Sequence, residues 1–242
     1  MIPLIDRNPT RTFPAVTLTL IALNLIAYFV FQHGTLSAGD PSSQDYLCNL
    51  GEYGAIPREY THPAYDLPLP TTCGAEASRW ITPFTAMFMH GGLVHLAGNM
   101  LFLWVFGNNI EDALGRGRFV AFYLIGGLAA LALQVAVDPG SRVPTIGASG
   151  AIAAVLGGYL VLYPRARVWT FIGFIVLPIP ALIVLGFWFV QQIAFGYLGF
   201  MDPGRGSAGG VAYFAHIGGF AFGLLTVRRW ARRTEPEPRW GL

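Results

Sequence analysis

Two short segments carry the residue types of hydrolytic chemistry. Gly147-Ala148-Ser149-Gly150-Ala151 sets a hydroxyl among small residues, and Ala215-His216-Ile217-Gly218-Gly219 sets an imidazole in similar surroundings. Each lies at or just inside the end of an apolar run. A nucleophile and a base are costly to place in hydrocarbon unless they are paired or used. Together they point to hydrolysis within a membrane, with Ser149 attacking and His216 taking its proton.

Ser149 falls where its apolar run should start a helix, so unpaired backbone N–H groups and the positive end of the helix dipole surround its hydroxyl. Those donors suit an oxyanion, and the bare backbone at Gly147 and Gly150 leaves room for a substrate carbonyl. The competing structural reading is a helix cap and a close helix contact, since small residues are common where membrane helices meet. The G-x-S-x-G elbow of soluble hydrolases is not written here, because Ala151 holds its last position and no strand precedes the serine. His216 lies about six residues into its run, roughly 9 Å below the start. His216, Gly219 and Gly223 share one helix face, as do Ser149, Ala153 and Gly157, and two faces this smooth can pack closely. Without the serine motif, the histidine would read as a core residue bonded to a backbone carbonyl. Neither run holds a carboxylate: Asp138 and Asp202 fall in loops, and Glu111 and Asp112 end another run. A Ser-His dyad is therefore expected rather than a triad.

A third cluster is His90-Gly91-Gly92-Leu93-Val94-His95-Leu96-Ala97-Gly98-Asn99. His95 and Asn99 are four apart and face the same way, offering side-chain donors to an oxyanion hole, while His90 sits at the membrane edge. The plainer reading has these groups bonding one another or a metal. His90, His95 and His216 lack a His-Glu-x-x-His signature and an acidic neighbour, so no metal site is expected.

Six apolar runs, at about 14–32, 93–113, 118–137, 148–163, 168–192 and 210–230, predict six helices across a hydrocarbon core of ~30 Å. In the fifth, Pro178 and Pro180 predict a kink, and with the glycine-rich segment 201–210 a gate that admits substrate. The organisation expected is an N-terminal segment over 1–13, a membrane domain over 14–230 with an outer loop at 33–80, and a tail over 231–242. Cys48 and Cys73 both fall in that outer loop, either bridged or as two free thiols. Of 242 residues 54% are hydrophobic and only 12% charged, which excludes an ordinary soluble domain. The net charge of +2 and the scattered arginines exclude nucleic acid as a partner.

With the N-terminus inside, eleven arginines fall on inner segments and four on outer ones, satisfying the positive-inside rule. The second, fourth and sixth runs then start at the outer face, bringing His95, Ser149 and His216 to a similar depth. The expected location is a bacterial inner membrane with both termini cytoplasmic.

In combination and in this order, His90-Gly91-Gly92 with His95 and Asn99, Asn108-Asn109-Ile110-Glu111-Asp112-Ala113-Leu114-Gly115, Gly147-Ala148-Ser149-Gly150, and Ala215-His216 with Gly219 and Gly223 resemble the rhomboid family of intramembrane serine proteases. The resemblance covers about residues 14–230. It implies an all-α polytopic membrane protein, a six-transmembrane-helix rhomboid-like bundle. It also implies Ser149 as nucleophile, His216 as general base and acid, and His95 and Asn99 in an oxyanion hole beside Gly147 and Gly150. The activity implied is a serine endopeptidase acting on transmembrane protein substrates in the lipid bilayer, without a cofactor. The alternative is a catalytically inactive rhomboid-like protein that binds membrane proteins or serves their quality control. Two positions depart from the family pattern. Ala153 stands one turn after the serine, where an aromatic often packs beside the histidine, and a Trp-Arg pair of the first loop is reversed as Arg79-Trp80.

Overall fold

Apolarity that continues all round, rather than as a stripe, drives most of this chain into helices, whose backbone groups bond internally as hydrocarbon requires. The structure is a computed structural model and describes residues 1–32, 44–62, 73, 78–201 and 212–232, with backbone alone at 44–47 and 200–201. Its helices are α1 (Ala15–Ile26, continued by a π-helical turn Ala27–Phe31), α2 (Gln44–Tyr53), α3 (Pro57–Thr61), α4 (Thr82–Thr85), α5 (Leu93–Leu114), α6 (Arg116–Val137), α7 (Ser149–Leu162), α8 (Ala181–Met201) and α9 (Tyr213–Trp230). Strands β1 (Ile2–Asp6), β2 (Arg167–Ile172) and β3 (Ile175–Pro180) form an antiparallel sheet in the order β1-β2-β3. Among the described residues three helices are long and apolar enough to cross a membrane, Leu93–Leu114, Arg116–Val137 and Ala181–Gly199; the apolar helices Ala15–Phe31 and Ser149–Leu162 are shorter.

The sheet corrects two expectations. A purely all-α chain has no place for it, and the fifth apolar run does not start a helix at 168: its first part is the β2–β3 hairpin, and the helix begins at Ala181. Pro178 and Pro180 therefore lie on β3, an edge strand where a missing N–H is tolerated, and kink no helix. The gate built on that kink loses its basis, and its loop, 202–210, lies outside the described residues. The 33–80 loop is described in part; within it Cys48 and Cys73 form a disulfide.

Helix α7 is the centre of the bundle. Every residue from Gly150 to Tyr159 is buried, and α9 packs against it with almost no intervening side chain. A Cβ at Gly219 would overlap the Gly150 carbonyl oxygen, one at Gly223 the Ala154 carbonyl oxygen, and one at Gly157 the Phe220 carbonyl oxygen. At 14 residues α7 rises about 21 Å, less than the thickness of a hydrocarbon core.

Acidic side chains fasten the opposite end. α1 has no capping side chain of its own. The buried Glu111 supplies one from α5, accepting from Val16 N at 3.0 Å, Thr17 N at 2.8 Å and Thr17 Oγ1 at 2.8 Å, a negative charge at the positive end of a helix. Asp112 accepts from Thr12 N at 2.9 Å and Thr12 Oγ1 at 2.6 Å.

Asp6 ties β1 to the bundle through its Oδ2, which accepts from Tyr159 Oη at 2.5 Å and from Asn109 Nδ2 at 2.9 Å. Burial raises its carboxyl to about 6, against the opposing pull of the Tyr159 hydrogen bond. With the folded value above the unfolded one, the folded chain keeps this proton where the unfolded chain has lost it. The contribution is full below about pH 4 and is lost as pH rises through about 6. Hydrogen exchange at Ile2–Asp6, corrected for its intrinsic pH dependence, is expected to be slower at pH 5 than at pH 7.5, and Asp6→Asn should flatten the difference. Equal protection at both pH values in the unmodified chain would remove the carboxyl from this role.

Candidate active site

Ser149 is the first residue of α7, and His216 lies in the first turn of α9, shallower than its run of hydrophobicity suggested. The glycine contacts between these helices bring Ser149 Oγ to 2.7 Å from His216 Nε2. The other ring nitrogen, Nδ1, is 2.8 Å from Gln192 Oε1 on α8. A carbonyl oxygen only accepts, so Nδ1 carries the hydrogen and Nε2 keeps the free lone pair. Gln192 is itself oriented, because its Nε2 donates to the Trp188 carbonyl oxygen at 3.2 Å. The Trp188 ring lies 5.8 Å from the imidazole, and the Tyr213 ring meets it edge-on at 6.5 Å. From α6, Gln134 Oε1 accepts from Ala215 N at 3.2 Å and secures the start of α9.

Ala153 now has a physical reading. It is fully buried, and its Cβ is 3.2 Å from the position a Cβ at Gly219 would take. With only a methyl at this position, the groups against the imidazole come from α8, as Trp188 and Gln192. The sequence reading did not single out these two residues, nor Gln134. A signal existed, since Gln191-Gln192 interrupts an apolar run and polar groups in such runs call for a partner, but which of the two faces a histidine depends on the packing of α8 on α9.

His95 and Asn99 project from α5 toward the segment before Ser149. Gly91 N donates to His95 Nδ1 at 3.3 Å. A backbone N–H can only donate, so the His95 hydrogen sits on Nε2. That nitrogen lies 2.9 Å from where a Cβ at Gly147 would stand, with Asn99 Nδ2 at 3.6 Å from the same point. Gly147 adopts φ +111°, a backbone few other residues accept, and the absence of a side chain leaves the space in front of both donors open. Asn99 Nδ2 is buried and has no protein partner among the described residues. His90 stands apart from this group: its backbone N–H and C=O pair with the Gln32 amide at 2.8 and 3.1 Å, and its ring packs edge-on against His95 at 5.2 Å. Beside Ser149 and Gly150 is a cavity of about 30 Å³ whose walls include Ala86, Met87, Gly127, Ala130, Leu131 and Ala215. No group of three His, Cys, Asp or Glu side chains that could hold a metal occurs among the described residues.

Comparison with known proteins places this chain in a family. A family model of the rhomboid domain matches residues 77–233. The chain is 30% identical over 167 residues to Rhomboid protein 1, mitochondrial, of Saccharomyces cerevisiae, covering 63% of this chain and 45% of that protein. It is 34% identical over 145 residues to the human Presenilin-associated rhomboid-like protein, mitochondrial, covering 58% and 35%. It is 36% identical over 143 residues to RHOMBOID-like protein 4 of Arabidopsis thaliana, covering 57% and 31%. The chain thus spans less than half the length of each of these relatives. The mitochondrial names overturn the expectation of a bacterial inner membrane. Arginine asymmetry reports which side of a membrane a loop occupies and says nothing of which membrane it is; integration in a membrane is the part that stands. A matched domain spanning most of the chain, relatives that carry the same name, and apolar helices make this protein a member of the rhomboid family.

Proposed function

We propose that this chain is an intramembrane serine endopeptidase that hydrolyses peptide bonds of transmembrane protein substrates through a Ser149–His216 dyad. The observation that carries the reading is the 2.7 Å approach of Ser149 Oγ to the unprotonated Nε2 of His216, with the tautomer set by Gln192. In this reading residues 14–230 form one membrane domain in which α1, α5, α6, α7, α8 and α9 are its six spans, flanked by 1–13 and 231–242.

Ser149 Oγ attacks the substrate carbonyl carbon as its proton passes to His216 Nε2. The electron pair of the carbonyl bond moves to oxygen, giving a tetrahedral oxyanion. The open space at Gly147 leaves that oxygen within reach of His95 Nε2–H, Asn99 Nδ2 and the free N–H groups at the start of α7. Collapse expels the leaving amine, which takes the proton from His216 and leaves an acyl ester on Ser149. Water then attacks the ester with His216 again as base, releasing the acid and restoring the hydroxyl. The 30 Å³ cavity beside Ser149 matches a water or a methyl-sized substrate side chain. Gln192 does the orienting work of a triad's third member without charge, so the transient imidazolium is met by a dipole rather than by a carboxylate.

Serine-directed fluorophosphonate labelling in detergent tests the reading. The reagent is expected to modify the unaltered protein and not Ser149→Ala. Gln192→Leu leaves a buried Nδ1–H without an acceptor or drives the hydrogen to Nε2, and losing such a bond should slow labelling about 10- to 100-fold, with Gln192→Glu restoring most of the rate. Full labelling of Ser149→Ala defeats the protease assignment, whereas equal rates in Gln192→Leu and the unaltered protein remove only the orienting role.

A further inference from the structure

The outer face of the three-stranded sheet is apolar and has no cover among the described residues. Strand pairing sets Ile2, Phe171 and Val176 in one row and Ile5, Trp169 and Pro178 in the next. Val168 and Thr170, which alternate with these residues on β2, are fully buried, so both rows point away from the bundle. Ile2, Ile5 and Val176 are 47%, 54% and 41% exposed, and Phe174 at the hairpin turn is completely exposed. The face does not stop at the sheet. β3 runs directly into α8, where Leu182 and Ile183 are 57% and 54% exposed on a helix apolar enough to span a membrane.

One end of the same face is cationic. The Arg7 guanidinium lies 4.9 Å from the centre of the Trp169 ring. With Asn8, Arg167, Trp169 and Pro178 it lines a cleft of about 530 Å³. Arg7 N donates to the Arg167 carbonyl oxygen at 3.4 Å, and Arg167 Nη1 donates to the Pro178 carbonyl oxygen at 3.3 Å, so the two arginines spring from one piece of paired backbone.

We propose that this sheet is a docking surface for the interface of an anionic phospholipid bilayer, with the lipid phosphate in the Arg7–Arg167 cleft and the acyl and glycerol region against Phe171, Phe174 and Val176. Three observations favour that occupant. The apolar face is continuous with a lipid-spanning helix. Guanidinium forks match phosphate oxygens, and Trp beside Arg is a composition found at headgroup level. The open edges of β1 and β3 cannot sit in hydrocarbon, where unpaired N–H and C=O groups have no partner, which sets the sheet at the interface rather than deeper. A second copy docked symmetrically would bring four arginines together, whereas lipid phosphate neutralises them. This surface lies outside the Ser149–His216 site and does not depend on its activity.

Among the described residues there is no free cysteine, so Phe174→Cys provides a single thiol for a bimane label on the otherwise intact chain, at a side chain that is completely exposed among those residues. In phosphatidylcholine vesicles containing a small fraction of brominated phosphatidylglycerol or brominated phosphatidylcholine, the label should be quenched by both lipids, and more strongly by the anionic one. Arg7→Gln and Arg167→Gln should each reduce the preference for the anionic lipid by about fivefold at low ionic strength, without loss of thermal stability in the same vesicles. A label quenched by aqueous iodide and by neither lipid overturns the docking surface. Equal quenching by both lipids, unaffected by the arginine substitutions, overturns the headgroup site. Lipid quenching that is lost as the protein-to-lipid ratio rises identifies a second copy as the occupant and also overturns it.

Discussion

Ser149→Ala and His216→Ala are each expected to lower cleavage of a model transmembrane substrate to near background, a loss on the order of 10⁴ or more, with the double variant scarcely worse than either. The hydroxyl and the imidazole act on one proton: without His216 the Ser149 proton has no acceptor at 2.7 Å, and without Ser149 the base has nothing to activate. Groups that act as a unit are lost as a unit. Ser149→Ala should leave the fold intact, because α7 and α9 are joined by backbone-to-glycine contacts at Gly157, Gly219 and Gly223 rather than through the serine side chain. The measurement is the cleavage rate in liposomes alongside thermal unfolding in detergent. Losses that multiply in the double variant, or normal turnover by Ser149→Ala, would end the dyad mechanism.

Removing one oxyanion donor should cost less than removing the dyad and more than a packing change. Loss of one such donor lowers the rate of known hydrolases by roughly 100- to 1000-fold, and Asn99→Ala is expected to fall in that range. Its effect on stability should have a distinct signature. Asn99 Nδ2 is buried with no protein partner among the described residues, and deleting an unsatisfied buried donor does not carry the penalty of breaking a bond. The expected result is a large fall in kcat with little change in unfolding temperature. An unchanged rate with a strongly lowered unfolding temperature would assign Asn99 to packing. His95→Ala should behave differently, because it also releases Gly91 N and the edge-on contact with His90; it is expected to lose both rate and stability.

Much of the helical architecture was legible from hydrophobicity, because a backbone in an apolar setting has to satisfy its own hydrogen bonds and a long run leaves only the helix. α5, α6 and α7 start and stop within a few residues of their apolar runs. Residues 167–180 were not legible in this way. That stretch is apolar, rich in β-branched residues and divided by Gly173, and an apolar run without periodicity does not separate strand from helix. Its state depends on β1, which lies at the far end of the chain and supplies the pairing partners of β2.

Family membership was readable from local motifs, since each is a short string whose order along the chain carries the information. The setting of the site was not. Ser149 and His216 are 67 positions apart, and the tight approach of their helices depends on carbonyl oxygens of one lying where the other has glycine. Gln191 and Gln192 are equivalent as residue types; packing of α8 against α9 alone turns the second toward the imidazole. Tautomers likewise cannot be read from residue types, because a ring nitrogen donates or accepts according to the partner the fold puts against it. Residue types and local spacing were enough for the family and for the bounds of α5, α6 and α7. Long-range packing alone decided the hairpin, the group that orients His216, and the open space that His95 and Asn99 share at Gly147.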